Sequence, residues 1–80
     1  MNQQALPPDP DGQNDERAEW AAESIRTFAR VTCMDTANED DDTILGDLLC
    51  DLMHWCDREG IDFDAVLGAA RENYGAETAD

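Results

Sequence analysis

The sequence predicts an all-α fold, a small three-helix bundle, and three observations carry that expectation. Apolar residues recur at three- and four-residue steps in three separate stretches. No stretch alternates apolar and polar residues with the period of a strand. All three prolines precede the first apolar stretch, so none interrupts a helix. Helices are expected at about residues 15–31, 39–59 and 63–74. They make one domain over residues 15–75, between a disordered tail at 1–14 and a frayed end at 76–80.

The tail, MNQQALPPDPDGQN, holds one Leu and little else that could be buried. It cannot offset the entropy of ordering its own chain. The first helix is expected to begin after Asn14 as N-cap, with Asp15 and Glu16 against the positive helix end and Arg26 and Arg30 near the negative one. Its inner face is expected to be Ala18, Ala21, Ala22, Ile25, Phe28 and Ala29, small enough for close approach by another helix. Trp20 and Val31 fall nearly opposite that face.

Residues 32–38 connect, and Thr36 and Glu39 have the spacing of a capping box. The second helix organises the rest of the chain. Ile44, Leu45, Leu48, Leu49, Leu52, Met53, Trp55 and Cys56 fill half its circumference, enough to meet two neighbours. Its other half carries Thr43, Gly46, Asp47, Cys50, Asp51, His54, Asp57 and Arg58. Gly60 is expected to close it in the left-handed conformation. Asp62 then caps the third helix, whose inner face is Phe63, Val66, Leu67, Ala70 and Tyr74 and whose expected end is Gly75.

Eighty residues lie near the lower limit for a core that stands alone. Homodimerisation therefore stays open. Charge is the other extreme of this chain: twenty Asp and Glu against five basic residues, net −15. Such a field repels nucleic acid and anionic membranes and attracts basic protein surfaces. The first ten residues lack a basic start and an apolar run, so no secretory leader is expected. Three cysteines without a CxxC pair fit a reduced, cytoplasmic protein.

Few constellations could carry chemistry. Cys50 and His54, four apart, could share a metal ion, but one helix normally offers only two ligands. The acidic run 39–42 does not continue as a calcium loop, because Thr43, Leu45 and Leu52 occupy ligand positions. A single His and no nucleophile turn leave no Ser–His–Asp arrangement. No catalytic residue, metal or cofactor is assigned on these grounds.

Leu45-Gly46-Asp47-Leu48-Leu49, then Gly60-Ile61-Asp62-Phe63-Asp64, then Ala70-Arg71-Glu72-Asn73-Tyr74 resemble the third and fourth helices of MazG-type all-α nucleoside triphosphate pyrophosphohydrolases. The resemblance spans about thirty residues. It implies a Mg²⁺ site in which a Glu-x-x-Asp on the third helix joins a Glu-Glu-x-x-Glu on the second. Asp47 matches the Asp, Ile44 stands in place of the Glu, and Glu19 and Glu23 stand upstream without the doublet. As the alternative reading, Glu19, Glu23, Asp47 and Asp51 would hold the Mg²⁺ of such an enzyme. A plain oligomerisation module is a further alternative.

The leading expectation is a binding protein, not an enzyme. Residues 35–64 contain eleven acids and one base, net −10; the flanking segments carry only −3 and −2. Short acidic helical chains of this kind resemble, as a class, the nucleic-acid mimics of mobile elements that inhibit restriction and CRISPR nucleases. That class implies a basic, nucleic-acid-binding protein as partner. The contacts expected here are Asp40, Asp41, Asp42, Asp47, Asp51, Asp57, Asp62 and Asp64, with Trp20 or Trp55 as apolar anchor.

Overall fold

The computed structural model describes residues 6–79. Three helices follow in order: α1 Gln13–Val31, α2 Asp41–Glu59 and α3 Phe63–Thr78. Together they form the expected all-α three-helix bundle. Residues 1–5 of the expected tail lie outside the described residues.

The start of α1 corrects the expected N-cap. Asn14 lies inside the helix, and Gly12 takes the cap position in the left-handed region, φ 74°. The Asp9 carboxylate reaches forward from a turn to accept from the backbone N–H groups of Asn14 and Asp15, each at 3.0 Å. An acid five residues upstream thus fills donors that a helix start leaves unpaired.

At its other end α1 closes through a Schellman motif. The Met34 N–H donates to the Ala29 carbonyl at 2.9 Å and the Cys33 N–H to that of Arg30 at 3.2 Å. Cys33 occupies the left-handed position, φ 57°, the one non-glycine residue with positive φ among the described residues. The end of α2 repeats the pattern with Gly60 at φ 70°. Ile61 N–H donates to Cys56 O at 2.9 Å and Gly60 N–H to Asp57 O at 3.4 Å.

Helix α2 starts at Asp41, two residues later than expected. The capping-box position is bypassed because Asp35 holds the connector as a turn. Its carbonyl accepts from the N–H groups of Asn38 and Glu39. Its carboxylate accepts from the Ala37 N–H and the Asn38 side-chain amide. Asp40 becomes the N-cap in extended conformation. Asp62 caps α3 as expected, accepting from Ala65 N–H at 3.2 Å. The helix then runs through Gly75 to Thr78, whose hydroxyl donates to the Tyr74 carbonyl.

Packing is concentrated at the corners. Among the described residues only Ala29, Ile44 and Cys56 are buried. Two of these occupy matching positions in the Schellman motifs, and Ile44 sits one turn into α2. Ala22, Ile25, Phe28, Met34, Leu48 and Phe63 are half-buried around them. The far ends of α1 and α3 meet through polar groups. Asn14 Nδ2 donates to the Glu77 carbonyl at 2.8 Å, and Arg17 Nε lies 3.4 Å from the Glu77 carboxylate. The molecule is flat, 38 × 35 × 23 Å, with a radius of gyration of 14.7 Å. A compact domain of this length would have about 12 Å.

The expected inner faces are therefore only partly covered. Ala18 and Ala21 on α1 remain exposed, as do Leu45, Leu49, Leu52, Met53 and Trp55 on α2 and Val66, Leu67, Ala70 and Tyr74 on α3. Trp20 and Val31 are exposed, as their phase on α1 dictates.

Candidate functional site

Helix α2 displays its acids along a strip about as long as the helix itself. Asp47 and Asp51 are one turn apart, roughly 6 Å of rise, on the side away from the leucines. Asp57 continues that polar half two turns on. The N-terminal turn adds Asp40, Asp41 and Asp42, and the start of α3 adds its N-cap Asp62 and, in its first turn, Asp64. All eight are exposed.

Seven of the eight have free carboxylates. Asp62 spends an oxygen on the Ala65 N–H, whereas the other seven make no side-chain hydrogen bond or ion pair among the described residues. The four ion pairs there involve Arg17, Arg26 and Arg58 with glutamates only: Glu77, Glu19, Glu23 and Glu59. Among the described residues no basic side chain pairs with the aspartate row. Exposed as it is, the row is screened by salt and exerts its full field at low ionic strength. Trp20, on the outer side of α1, is 61 % exposed and offers a large apolar surface to any partner.

Glu19 and Glu23 have a different role from the aspartates. Both accept from Arg26 Nη2, at 3.0 and 3.1 Å. The hydrogen bond to Glu19, then that to Glu23, pushes the Arg26 pKa above its ordinary value. Among the described residues no three His, Cys, Asp or Glu side chains are grouped so as to hold a metal ion. The structure thus does not bring Glu19, Glu23, Asp47 and Asp51 together. Cys50 is exposed and unbonded, as is Cys33, while Cys56 is buried as a free thiol. His54, one turn from Cys50, is exposed beside it.

A cavity of about 360 Å³ lies where the chain before α1 meets the two far helix ends, lined by Leu6, Pro7, Asn14, Arg17, Ala18, Tyr74 and Glu77 among others. Of its polar members, Asn14, Arg17 and Glu77 are engaged with one another, and Asp9 and Thr78 bond to backbone groups. No helix is long and apolar enough to cross a membrane among the described residues.

Sequence reasoning treated the leucines of α2 as a core and so missed them as surface. The stripe stays open because α1 and α3, nearly as long as α2, pack on it only near the corners, which helical periodicity does not reveal. Comparison of the chain with protein-family models, with curated proteins and with solved structures finds no match.

Proposed function

We propose that this chain is a protein-binding module whose acidic strip docks on a basic protein surface, of the kind that nucleic-acid-binding proteins present. One observation carries the reading: seven exposed aspartates of α2 and its flanking turns have no partner within the described residues. Carboxylates on a rigid helix can occupy an Arg/Lys groove by the same electrostatics that hold phosphates there. Binding of this type is fast, salt-sensitive and free of any cofactor. Trp20 and Trp55 supply the apolar contacts that charge alone lacks. The reading assumes a cytoplasmic setting, in keeping with three unpaired thiols.

The test begins with a low-salt pull-down from host lysate, eluted by a salt step, and continues with the purified basic protein obtained. The chain is expected to displace DNA or RNA from that protein, with affinity falling steeply as salt rises. Neutralising Asp47, Asp51 and Asp57 together to Asn should weaken binding by about tenfold or more, at several tenths of a kcal/mol per exposed charge pair. Unchanged affinity in the triple variant, or binding indifferent to salt, overturns the proposal.

A further inference from the structure

The half of α2 built to be a core is the half left open. Leu45, Leu49, Leu52 and Met53 retain 43, 42, 39 and 50 % of their surface, and Val66, Leu67 and Tyr74 on α3 retain 52, 36 and 62 %. At 100° per residue, the four on α2 lie within an arc of about 100°, and so do the three on α3. Cys56, buried at the α2–α3 corner, falls in the middle of the first arc. Phe63, half-buried at the same corner, falls inside the second. Both stripes therefore begin at the corner where the helices touch and run outward along its two arms. They are the walls of an apolar wedge.

We infer that a second copy of this chain fills the wedge, so that the molecule is an isologous homodimer paired through α2 and α3. The surface itself argues for this occupant. With large apolar side chains of roughly 200 Å² each, the seven residues still expose on the order of 600 Å² per copy. A standard interface takes about 800 Å² per partner, so these residues and a polar rim are enough. Among the described residues outside the three helices, the large apolar ones are Leu6, Met34 and Ile61, too few to cover both stripes.

The cover must also be present whenever the chain is folded. Three buried residues and a radius of gyration well above that of a compact domain leave little to offset the entropy of ordering three helices. A copy of the same chain meets that demand in every cell that makes it. A partner encountered later does not.

Charge decides how two chains of net −15 can approach. Within the two arcs the acids are Asp42, at the first turn of α2, and Glu77, already paired with Arg17. Asp47, Asp51 and Asp57 lie outside them. Pairing wedge to wedge brings the copies together at their least charged surface and leaves the aspartate strips facing solvent. Arg71 lines a shallow groove with Leu67, Ala70 and Tyr74. It makes no ion pair among the described residues, so it is free to meet an acid of the other copy at the rim.

Sedimentation of the full chain from about 1 to about 200 µM, the range in which micromolar pairing shows, tests this directly. A dimer is expected, tightened rather than weakened by 1 M salt, because the repulsion between two chains of net −15 that screening removes outweighs an exposed Arg71 ion pair at the rim. That sign is opposite to the salt response of the acidic-strip reading, so the two can fail separately. The melting temperature should rise with protein concentration, as it does when association stabilises the fold. Leu49→Asp should weaken the dimer by more than about tenfold by placing a charge in the interface. Asp51→Asn should not weaken it. Alkylation of Cys50, on the acidic side, should proceed equally in monomer and dimer. If Leu49→Asp fails to fold, the concentration dependence of the unmodified chain's melting and the Cys50 reaction still decide. A monomer at every concentration, an assembly larger than two, an unaffected Leu49→Asp dimer, or Cys50 protected on pairing overturns the inference.

Discussion

Two corners of this molecule use one hydrogen-bond pattern with different residues in the critical place. Between α1 and α2 the left-handed residue is Cys33, and between α2 and α3 it is Gly60. Each motif buries the residue whose carbonyl accepts the longer-range bond, Ala29 in one and Cys56 in the other. Each is followed by an apolar residue, Met34 or Ile61, the usual companion of this cap. The first corner also buries Ile44 and half-buries Phe28 and Met34 against an alanine-rich face. The second buries only Cys56 and leaves Val66, Leu67 and Tyr74 open along α3. Small side chains on α1 permit close approach. The bulkier residues of α3 hold contact only near the turn.

If the first corner holds most of the monomer's packing, breaking it should have the largest effect. Ile44 is 3 % exposed, and Ile44→Ala is expected to cost about 2–5 kcal/mol, much of what a domain this small can hold. Loss of the helical circular-dichroism signal at room temperature, or a urea midpoint shifted far toward zero, would register it. A change below about 1 kcal/mol would mean that the two corners contribute equally little.

Exchanging the cap residues sharpens the comparison, because the two substitutions should have opposite signs. Cys33→Gly relieves a β-carbon in the left-handed region and should stabilise by about 1 kcal/mol. Gly60→Ala introduces the same strain, with open space around the added carbon, and should destabilise by about 1 kcal/mol. Thermal melts at a fixed protein concentration would read both shifts. Equal signs would show that one of the turns relaxes out of the motif.

These corners also mark how far the fold was legible. The three helices, their order and the Gly60 and Asp62 boundaries follow from periodicity and local cap chemistry, as does the outward phase of Trp20 and Val31. The cap at Cys33 gave no local sign, because nothing about Cys favours a positive φ. The start of α1 was displaced from Asn14 by Asp9, whose carboxylate acts across five residues. The Asp35 carbonyl took the Glu39 amide that a Thr36 box would have used. On the candidate site, exposure of Asp47, Asp51 and Asp57 was readable from helical phase, and that of the other five from their places at the starts of α2 and α3. That Asp62 is partly spent on its cap, and that Glu19 and Glu23 are held by Arg26, depended on side-chain reach. Coverage was the least legible feature. A stripe of leucines looks the same whether its own chain or another molecule covers it.

The end of α3 offers the smallest and most local test. Gly75 should have ended that helix, yet the last turn continues where Glu77 meets α1 through Arg17 and Asn14. Both partners of the ion pair are well exposed, at 41 % and 37 %, so it contributes at most about 1 kcal/mol. Arg17→Ala should therefore barely move the melting temperature. What it should change is fraying: amide exchange at residues 75–78 should quicken several-fold while the α1–α2 corner keeps its protection. The Asn14 bond to the Glu77 carbonyl survives in that variant and should limit the effect. Asn14→Ala added to it should release the turn to Gly75, where the sequence alone would have stopped the helix. If residues 75–78 stay protected in the double variant, intrinsic helix propensity holds the last turn, and the far ends of α1 and α3 merely lie side by side.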